Sequence, residues 1–403
     1  MPNLQIVAPR IRGFICLNAH PAGCAANVER QIAVVRGSAA TSPRPGGEPY
    51  HVLVLGASTG YGLSSLLTTV FGYGARALGV CLERPPQGDK PASAGWYNLV
   101  AAHAEARAAG RALETVNGDA YSAEVKAEVL ERLRRWGRKL DAVVYSLASP
   151  RRTDPRTGET FTSVLKPLGA AYRSKSINLG NDQVVDVELA PATEADVTAT
   201  VKVMGGEDWD LWMSALLDAD LLAPGCRTVA YSYLGPELTY PIYRSGTIGR
   251  AKEHLEQTAH ALTATLGARL GGAAFVSVNK AVVTQASSAI PVVPLYISLL
   301  YRVMKARGSH EGTIEQAVRL FRDHLAPGHT PETDEAGRIR LDDRELAPDV
   351  QAEVSRLWAE VSTANLGALS DYAGFKQEFR ALFGFEVPGI DYGEPVDLDL
   401  RMP

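Results

Sequence analysis

Short apolar runs alternate with longer amphipathic segments along most of the chain. The runs HVLVLGA (51–57) and LDAVVYSLAS (140–149) are apolar for much of their length, which is typical of strands buried on both faces. The segments between such runs, for example 95–110 and 122–137, have the length and apolar spacing of helices. This alternation predicts an α/β fold with a doubly wound parallel sheet that helices cover on both faces.

The pattern places the elements as follows. Strands are predicted at 51–57, 75–83, 112–120, 140–149, 226–235 and 272–284. Helices are predicted at 27–35, 62–74, 95–110, 122–137, 210–222 and 250–267. A connector rich in Pro, Gly and Ser (36–51) precedes the first of these strands.

The alternation is interrupted twice. Between 150 and 200 we expect loops and short hairpin strands, and after 300 a mostly helical part with one small polar excursion, GRIRLDDRELAP (337–348). We therefore predict one elaborated domain over 1–403, made of an N-terminal extension (1–50), a central part with an insertion (150–200) and a helical C-terminal part (300–403).

The composition is that of a folded protein without a strong charge bias. Of the 403 residues, 46% are hydrophobic and 21% are charged, and the formal net charge is -4. This balance argues against nucleic acid or an anionic membrane as the main partner. The first residues contain no basic stretch followed by a long apolar run, so we expect a cytoplasmic protein, and we expect it to act as a monomer.

Two segments could form a ligand site, and each also has a simpler structural interpretation. AIPVVPLYISLLY (289–301) is too short to span a bilayer, and a core helix and the wall of an apolar pocket are equally good interpretations. Cys16, His20 and Cys24 are four residues apart and could share a helix face around zinc. Pro21 and Gly23 interrupt such a helix, and structural zinc requires four ligands, so we predict no metal site.

A glycine-rich turn follows the first predicted strand. In GASTGYG (56–62), Gly56, Gly60 and Gly62 let the backbone approach a pyrophosphate, and the helix that follows offers free N–H groups. Ser58 and Thr59 add hydroxyl donors. The strand-turn-helix context predicts a Rossmann-type dinucleotide site, and a tight turn without a ligand is the alternative.

Acidic residues end the next two predicted strands. Glu83 lies about twenty residues after the glycines, where a carboxylate accepts hydrogen bonds from the adenosine ribose and repels the extra phosphate of NADP. This favours NADH, although the adjacent Arg84 leaves room for NADPH. Asp119 is placed to reach the adenine amino group, and its role as N-cap of the following helix is an equally good interpretation.

The stretch from Tyr231 to Glu256 carries the most reactive chemistry. A tyrosine can donate a proton to a developing oxyanion, and a nearby ammonium assists it and can bind the cofactor ribose. The usual Y-x-x-x-K pair of short-chain dehydrogenases is absent, and Tyr243 and Lys252 are separated by eight residues instead. Taken alone, Lys252 is best interpreted as a solvated lysine.

The Y-x8-K spacing behind the G-x-x-x-G-x-G turn resembles the FabV-type trans-2-enoyl thioester reductases, which include trans-2-enoyl-CoA reductases. Blocks in the same order cover nearly the whole chain: RGFICLNAHPAGC, VLVLGASTGYG, VYSLASPRR, ATVKVMGGEDW, VAYSYLG, YPIYRSGTIGRAKEHL, KAVVTQASSAIPVVPLY and DYAGFKQEF. Many relatives carry tryptophan at the position of Tyr240, and Arg244 and Ser245 replace a bulkier pair found in some members, all beside the catalytic tyrosine. The acyl length and the carrier therefore stay open.

The resemblance implies a short-chain-dehydrogenase-like fold, with insertions and extra helices, and a set of site residues. The implied catalytic residues are Tyr243 as proton donor, Lys252 as its cofactor-side partner, and Tyr233, which also contacts the substrate. The implied cofactor-binding residues are Gly56, Ala57, Ser58, Thr59, Gly60, Tyr61, Leu82, Glu83, Asp119, Ala120, Leu147, Ala148, Lys252, Val282, Val283 and Thr284.

The implied reaction is the NADH-dependent reduction of the trans-2 double bond of enoyl-CoA or enoyl-acyl-carrier-protein in fatty acid biosynthesis. Two alternatives remain. A short-chain ketoreductase of 3-oxoacyl thioesters is disfavoured by the missing Y-x-x-x-K pair. A non-catalytic NAD(H)-binding regulator is disfavoured by the presence of Tyr243 and Lys252.

Overall fold

Seven parallel strands form one sheet at the centre of the computed structural model. The structure describes residues 2–13, 15–38, 49–326 and 328–403. Most of the predicted connector lies outside these ranges. The parallel sheet, with helices packed on both of its faces, confirms the predicted α/β class.

The strands are numbered in chain order. They are β1 (Leu4–Gln5), β2 (Ile11–Arg12), β3 (Ile15–Cys16), β4 (His51–Leu55), β5 (Arg76–Cys81), β6 (Leu113–Asn117), β7 (Leu140–Tyr145), β8 (Arg151–Thr153), β9 (Thr160–Thr162), β10 (Tyr172–Asn178), β11 (Gln183–Leu189), β12 (Leu222–Ser232), β13 (Ala273–Val278), β14 (Arg338–Arg340) and β15 (Val396–Asp397).

The α-helices are numbered in the same way. They are α1 (Pro21–Gly37), α2 (Gly60–Leu67), α3 (Ala94–Ala108), α4 (Ala123–Trp136), α5 (Glu194–Met204), α6 (Glu207–Asp218), α7 (Thr247–Leu270), α8 (Gln285–Ser288), α9 (Val293–Ala306), α10 (Thr313–Leu320), α11 (Pro348–Glu360), α12 (Leu366–Leu369) and α13 (Tyr372–Ala381). Wider helical turns extend α2 to Gly72 and α10 to Leu325.

The order of strands across the main sheet is β14-β13-β12-β7-β4-β5-β6. The chain runs outward from β4 through β5 to β6 and then returns to β7 on the other side of β4. The connections after β4 and β7 therefore diverge and leave a crevice at the carboxyl ends of these two strands. In open α/β sheets this crevice is where ligands bind.

Alternate residues of the central strand face two separate cores. Val52 and Val54 belong to the cluster under α1, α2, α3 and α10, whereas Leu53 and Leu55 belong to the cluster under α4, α6 and α7. A third cluster surrounds α9 and is formed by α11, α13 and the ends of the chain. This third core lies beside the sheet and has no counterpart in a minimal doubly wound fold.

The polar segment 337–348, which is predicted only as an interruption of the helical C-terminal part, contains a strand of the main sheet. Its residues Arg338–Arg340 form β14, which extends the sheet in parallel beyond β13. The segment looks polar because β14 is short and lies at an edge, where arginine side chains reach solvent and acidic partners. The predicted insertion contains the antiparallel pairs β8–β9 and β10–β11, as expected.

The first helix is longer than predicted. It begins at Pro21, because proline fits the first turn of a helix, and it runs to Gly37. His20 caps it by accepting a hydrogen bond from the Gly23 N–H at 3.2 Å. Pro21 and Gly23 therefore lie in the first turn of this helix and do not interrupt it. Within the described ranges, no group of three or more His, Cys, Asp or Glu side chains is placed to hold a metal ion.

Helix α1 docks on the C-terminal segment through a glycine. A Cβ on Gly23 would lie 1.7 Å from the backbone oxygen of Gly384, so the two segments are in direct backbone contact.

No helix in the described part of the chain is both long and apolar enough to cross a membrane.

We expect Gly23→Ala to destabilise the protein by about 1–3 kcal/mol, because the extra methyl group must displace backbone and cannot be relieved by a rotamer change. Gly37→Ala, in the same helix, places its Cβ more than 4 Å from every other described segment and should change stability by less than about 1 kcal/mol. Thermal unfolding of the two variants measures the difference. Equal Tm values would contradict the predicted contact.

Candidate active site

A glycine turn joins the end of β4 to the start of α2 at the crevice. Gly56 has φ of +86°, and a Cβ there would lie 2.3 Å from the Ser146 carbonyl oxygen at the end of β7. A Cβ on Gly62 would lie 1.8 Å from the Gly56 carbonyl oxygen. Only glycine fits at these two positions. Because no side chain projects from them, the backbone of the turn can approach a pyrophosphate closely. Between them lie Ala57, Ser58, Thr59, Gly60 and Tyr61.

The Glu83 carboxylate lies just beyond β5 and faces this turn. Its Oε1 accepts a hydrogen bond from the Ser58 hydroxyl at 2.6 Å, and its Oε2 accepts one from the Ser93 hydroxyl. Gly95 makes room for it, since a Cβ there would lie 2.1 Å from Oε1. Leu82, just before it, is exposed. The structure therefore brings the predicted ribose-binding carboxylate to the predicted phosphate-binding turn.

Asp119 lies after β6 and does not cap the next helix. Its Oδ1 accepts a hydrogen bond from the Tyr121 N–H at 2.9 Å. Helix α4 is capped by the Ser122 hydroxyl, which accepts from the Val125 N–H at 3.1 Å. The interpretation of Asp119 as an N-cap is therefore wrong, and its side chain orders the loop at the edge of the sheet.

The loop that contains Asp119 and Ala120 is held in place by a buried ion pair. The Ala120 carbonyl accepts hydrogen bonds from the Lys126 ammonium at 2.9 Å and from the Trp212 indole at 3.1 Å. Lys126 is paired with Asp208 at 2.8 Å. Burial lowers the pKa of Lys126 and raises that of Asp208, and the charge of each partner opposes the shift of the other.

Two further predicted cofactor segments lie at this edge of the sheet. They are Leu147 with Ala148, after β7, and Val282, Val283 and Thr284, after β13. The Val283 N–H donates to the Tyr301 hydroxyl at 3.0 Å, and Thr284 caps α8 by accepting from the Ser287 N–H at 3.0 Å. The second segment is thus fixed by α8 and α9.

Tyr61, in the first turn of α2, connects the two sides of the crevice. Its ring stacks on Tyr231 with the centroids 5.1 Å apart, and its hydroxyl donates to the Lys280 carbonyl at 2.9 Å. Helix α2, strand β12 and the loop after β13 are therefore held together by one side chain.

Tyr243 and Tyr233 lie against each other. Tyr243 is in the turn before α7, and a Cβ on Gly249 would lie 2.6 Å from its carbonyl oxygen, so the turn packs directly on the helix. The two rings meet edge to face with centroids 4.7 Å apart. Among the described residues the Tyr243 hydroxyl has no hydrogen-bond partner, whereas the Tyr233 hydroxyl donates to Glu345 at 2.9 Å.

Lys252 is half-buried in the second turn of α7, so its interpretation as a solvated lysine is wrong. Its ammonium donates to the Tyr231 carbonyl at 3.0 Å, at the end of β12. Burial lowers the pKa of Lys252 to about 8, and the charge of Glu256 opposes this shift. No hydrogen bond joins Lys252 to Tyr243 within the described ranges.

Two buried charged residues near the tyrosines were not predicted. Glu345, in the polar excursion, is fully buried, and Lys280 is 1% exposed. Burial lowers the pKa of Lys280 to about 8, and the charge of Glu345 opposes this shift. The polar pattern around Glu345 indicates solvent exposure, so the sequence carried no signal for it.

Within the apolar stretch 289–301, residues 293–301 form the first part of α9 and are buried, whereas Ala289, before the helix, is exposed. Leu295, Ile297, Leu299 and Leu300 have no exposed surface. The helix also reaches the site, because Tyr296 and Tyr301 direct their hydroxyls to Glu345 and to the Val283 backbone. The core-helix interpretation therefore describes the segment, and its tyrosines connect it to the site.

Sequence-family models match most of the chain. Residues 90–326 match the trans-2-enoyl-CoA reductase catalytic region, and residues 6–88 match the NAD(P)H binding domain of trans-2-enoyl-CoA reductase. The chain belongs to the trans-2-enoyl-CoA reductase family. The resemblance inferred from the sequence blocks is confirmed.

Relatives of this family are similar over their full length or most of it. The enoyl-[acyl-carrier-protein] reductase [NADH] of Opitutus terrae is 53% identical, over 99% of this chain and 100% of that protein. The trans-2-enoyl-CoA reductase of Euglena gracilis is 51% identical, over 99% of this chain and 73% of that protein. The crystal structure of the Clostridium acetobutulicum trans-2-enoyl-CoA reductase in complex with NADH has a TM-score of 0.94 and 38% identity, and covers 98% of this chain and 99% of that one.

A third model, described as an enoyl reductase FAD binding domain, matches residues 333–396. This segment does not fit a flavin dinucleotide. Its strand β14 is followed by no glycine until Gly367, so it lacks a phosphate-binding turn. Its apolar side chains, such as Val354 and Phe375, pack into the core around α9. No step of the reaction is therefore assigned to a flavin.

The buried ammonium of Lys252 should make stability depend on pH. Its pKa is about 8 in the folded state and near 10.5 when exposed, so between these values the unfolded chain holds a proton that the folded protein has lost. Stability of the wild type should therefore rise over this range. Lys252→Met removes the effect, so its stability advantage over the wild type should shrink by about 1–3 kcal/mol from pH 8 to pH 10.5.

Urea unfolding of both proteins across this pH range measures the gap between them. Lys90→Met, at an exposed lysine, is the control for the loss of one positive charge. A gap between Lys252→Met and the wild type that is constant with pH would contradict the burial of the Lys252 ammonium.

Proposed function

We propose that this chain reduces the trans-2 double bond of enoyl thioesters with NADH, in fatty acid biosynthesis. The observation that carries the proposal is the Tyr243 hydroxyl, which has no partner among the described residues and lies against Tyr233. Tyr243 lies at the same edge of the sheet as the glycine turn. Membership of the trans-2-enoyl-CoA reductase family supports the reaction class.

The proposed role of Tyr243 is to stabilise the charge that the reaction creates. Bound NADH supplies a hydride to the β-carbon of the enoyl thioester, and negative charge moves to the thioester oxygen. Burial raises the pKa of the Tyr243 phenol, and the charge of Glu345 raises it further, so the hydroxyl keeps its proton at neutral pH. It can therefore donate a hydrogen bond to the enolate oxygen before the α-carbon is protonated.

Lys252 and Tyr233 have supporting roles in this proposal. The Lys252 ammonium lies at the end of β12, where its positive charge favours the enolate and can bind the cofactor ribose. The Tyr233 hydroxyl already donates to Glu345, so it contributes a ring surface for the substrate and an oxygen that accepts hydrogen bonds.

The proposed cofactor site follows the edge of the sheet. The glycine turn would hold the pyrophosphate, and Glu83 would accept hydrogen bonds from the adenosine ribose. Residues proposed to complete the site are Tyr61, Leu82, Asp119, Ala120, Leu147, Ala148, Val282, Val283 and Thr284. Their support is their common position at the carboxyl ends of neighbouring strands.

The setting of the reaction is also a proposal. We expect coenzyme A or acyl carrier protein to carry the substrate, and a monomer in the cytoplasm to act as one elaborated domain. The four cysteines are free and buried, as is common where thiols stay reduced.

The purified protein should oxidise NADH in the presence of crotonyl-CoA, measured by the loss of NADH absorbance, and should not do so with acetoacetyl-CoA. Turnover of acetoacetyl-CoA alone would make the protein a ketoreductase. NADH binding without turnover of either would favour the non-catalytic regulator, with enoyl-acyl-carrier-protein as the remaining substrate to assay.

In the same assay, Tyr243→Phe should lower kcat by about a hundred- to a thousandfold, because one donor to the developing oxyanion is lost. NADH affinity, measured by fluorescence titration, should be unchanged. Tyr240→Phe is the matched control, since Tyr240 lies three residues earlier under the Arg244 guanidinium. A Tyr243→Phe variant with near wild-type turnover would rule out this role.

Glu83→Gln should weaken discrimination against NADPH. The neutral amide no longer repels a 2′-phosphate, so the ratio of kcat/KM for NADH to that for NADPH should fall at least about tenfold, or about 1.4 kcal/mol. Glu29→Gln, at an exposed position of α1, is the control for net charge. An unchanged ratio would place the ribose away from Glu83.

A further inference from the structure

The Glu345 carboxylate accepts hydrogen bonds from two different parts of the site. Its Oε1 accepts from the Tyr296 hydroxyl at 2.6 Å and from the Tyr233 hydroxyl at 2.9 Å. Its Oε2 accepts from the Ala281 N–H at 2.6 Å. One fully buried side chain therefore fixes a tyrosine beside Tyr243 and the start of the segment 281–284.

The three donors indicate which group carries the charge. A carboxylate is an acceptor only, and three donors satisfy its two oxygens well. Burial raises the pKa of Glu345, and the three donors and the nearby charge of Lys280 oppose this shift. The Lys280 ammonium itself donates to the Ala281 carbonyl at 2.7 Å and not to Glu345. The geometry is that of an ionised carboxylate with neutral tyrosines around it.

This arrangement separates the roles of the two tyrosines. A phenol has one proton, and Tyr233 gives its proton to Glu345. The Tyr243 hydroxyl has no such partner among the described residues. We infer that Glu345 is a positioning residue for the reduction: it binds the Tyr233 proton and fixes that ring, so that Tyr243 alone donates to the enolate oxygen. The inference rests on the proposed function.

The substitution Glu345→Gln tests the inference with little change in shape. The Ala281 N–H cannot turn away, so the amide oxygen must face it, and the amide NH₂ then faces Tyr233 and Tyr296. Both hydroxyls must rotate to accept, which frees the Tyr233 proton beside Tyr243. We expect kcat with crotonyl-CoA to fall about 10- to 100-fold, as small displacements in a catalytic site do, while the Kd for NADH changes less than about threefold.

A double-variant comparison separates positioning from general structure. If Glu345 acts through Tyr233, the loss in kcat for Glu345→Gln combined with Tyr233→Phe should be no greater than the larger single loss. Losses that multiply would overturn the inference. Glu311→Gln is the control, because Glu311 is also buried but pairs with Arg319 and Arg344 and makes no hydrogen bond to a tyrosine among the described residues, so it should keep wild-type kcat.

Glu345→Asp gives a second variant if the amide prevents folding. It keeps the charge, but its shorter side chain cannot reach Tyr233 and Ala281 together, so kcat should again fall. Wild-type turnover in either folded variant overturns the inference. An inactive wild type would instead count against the proposed function, so the two failures are distinguishable.

Discussion

The reversal of strand order between β4 and β7 is the constraint on which the site depends. Because successive connections leave these two strands in opposite directions, their carboxyl ends are not covered by a crossing loop. Gly56 and Ser146 approach each other across this gap more closely than any side chain would allow. Residues far apart in the chain therefore meet at one edge, and the glycine turn is the point at which backbone alone faces the crevice.

Strand β14, at the end of the main sheet beside β13, brings the charged residue Glu345 to the site. Since β14 pairs in parallel with β13, the carboxyl ends of both strands point the same way. The chain after β14 thus arrives beside the loop after β13, and Glu345 can meet the Ala281 N–H there. The C-terminal part is accordingly an element of the site, in addition to covering the third core.

The sequence predicted those features that local patterns determine. Apolar runs located β4, β5, β7 and β13 because these strands are buried on both faces, and the spacing of Gly56 and Gly62 follows from a local turn. It could not predict β14 or the burial of Glu345, because both depend on a pairing between segments about sixty residues apart. The start of α1 was missed for another reason: proline is unfavourable inside a helix and favourable in its first turn.

The burial of charge in the site has a consequence for the reaction itself. Lys252 and Lys280 both have a pKa lowered to about 8 by burial, so the site holds cations that water does not fully stabilise. The negative charge of Glu256 opposes the pKa shift of Lys252, and that of Glu345 opposes the pKa shift of Lys280. A negative charge that forms on the thioester oxygen is attracted to the Lys252 ammonium, and a low dielectric strengthens this attraction. The cost of burying the lysines is incurred during folding, and the enolate, not the uncharged ground state, gains from it.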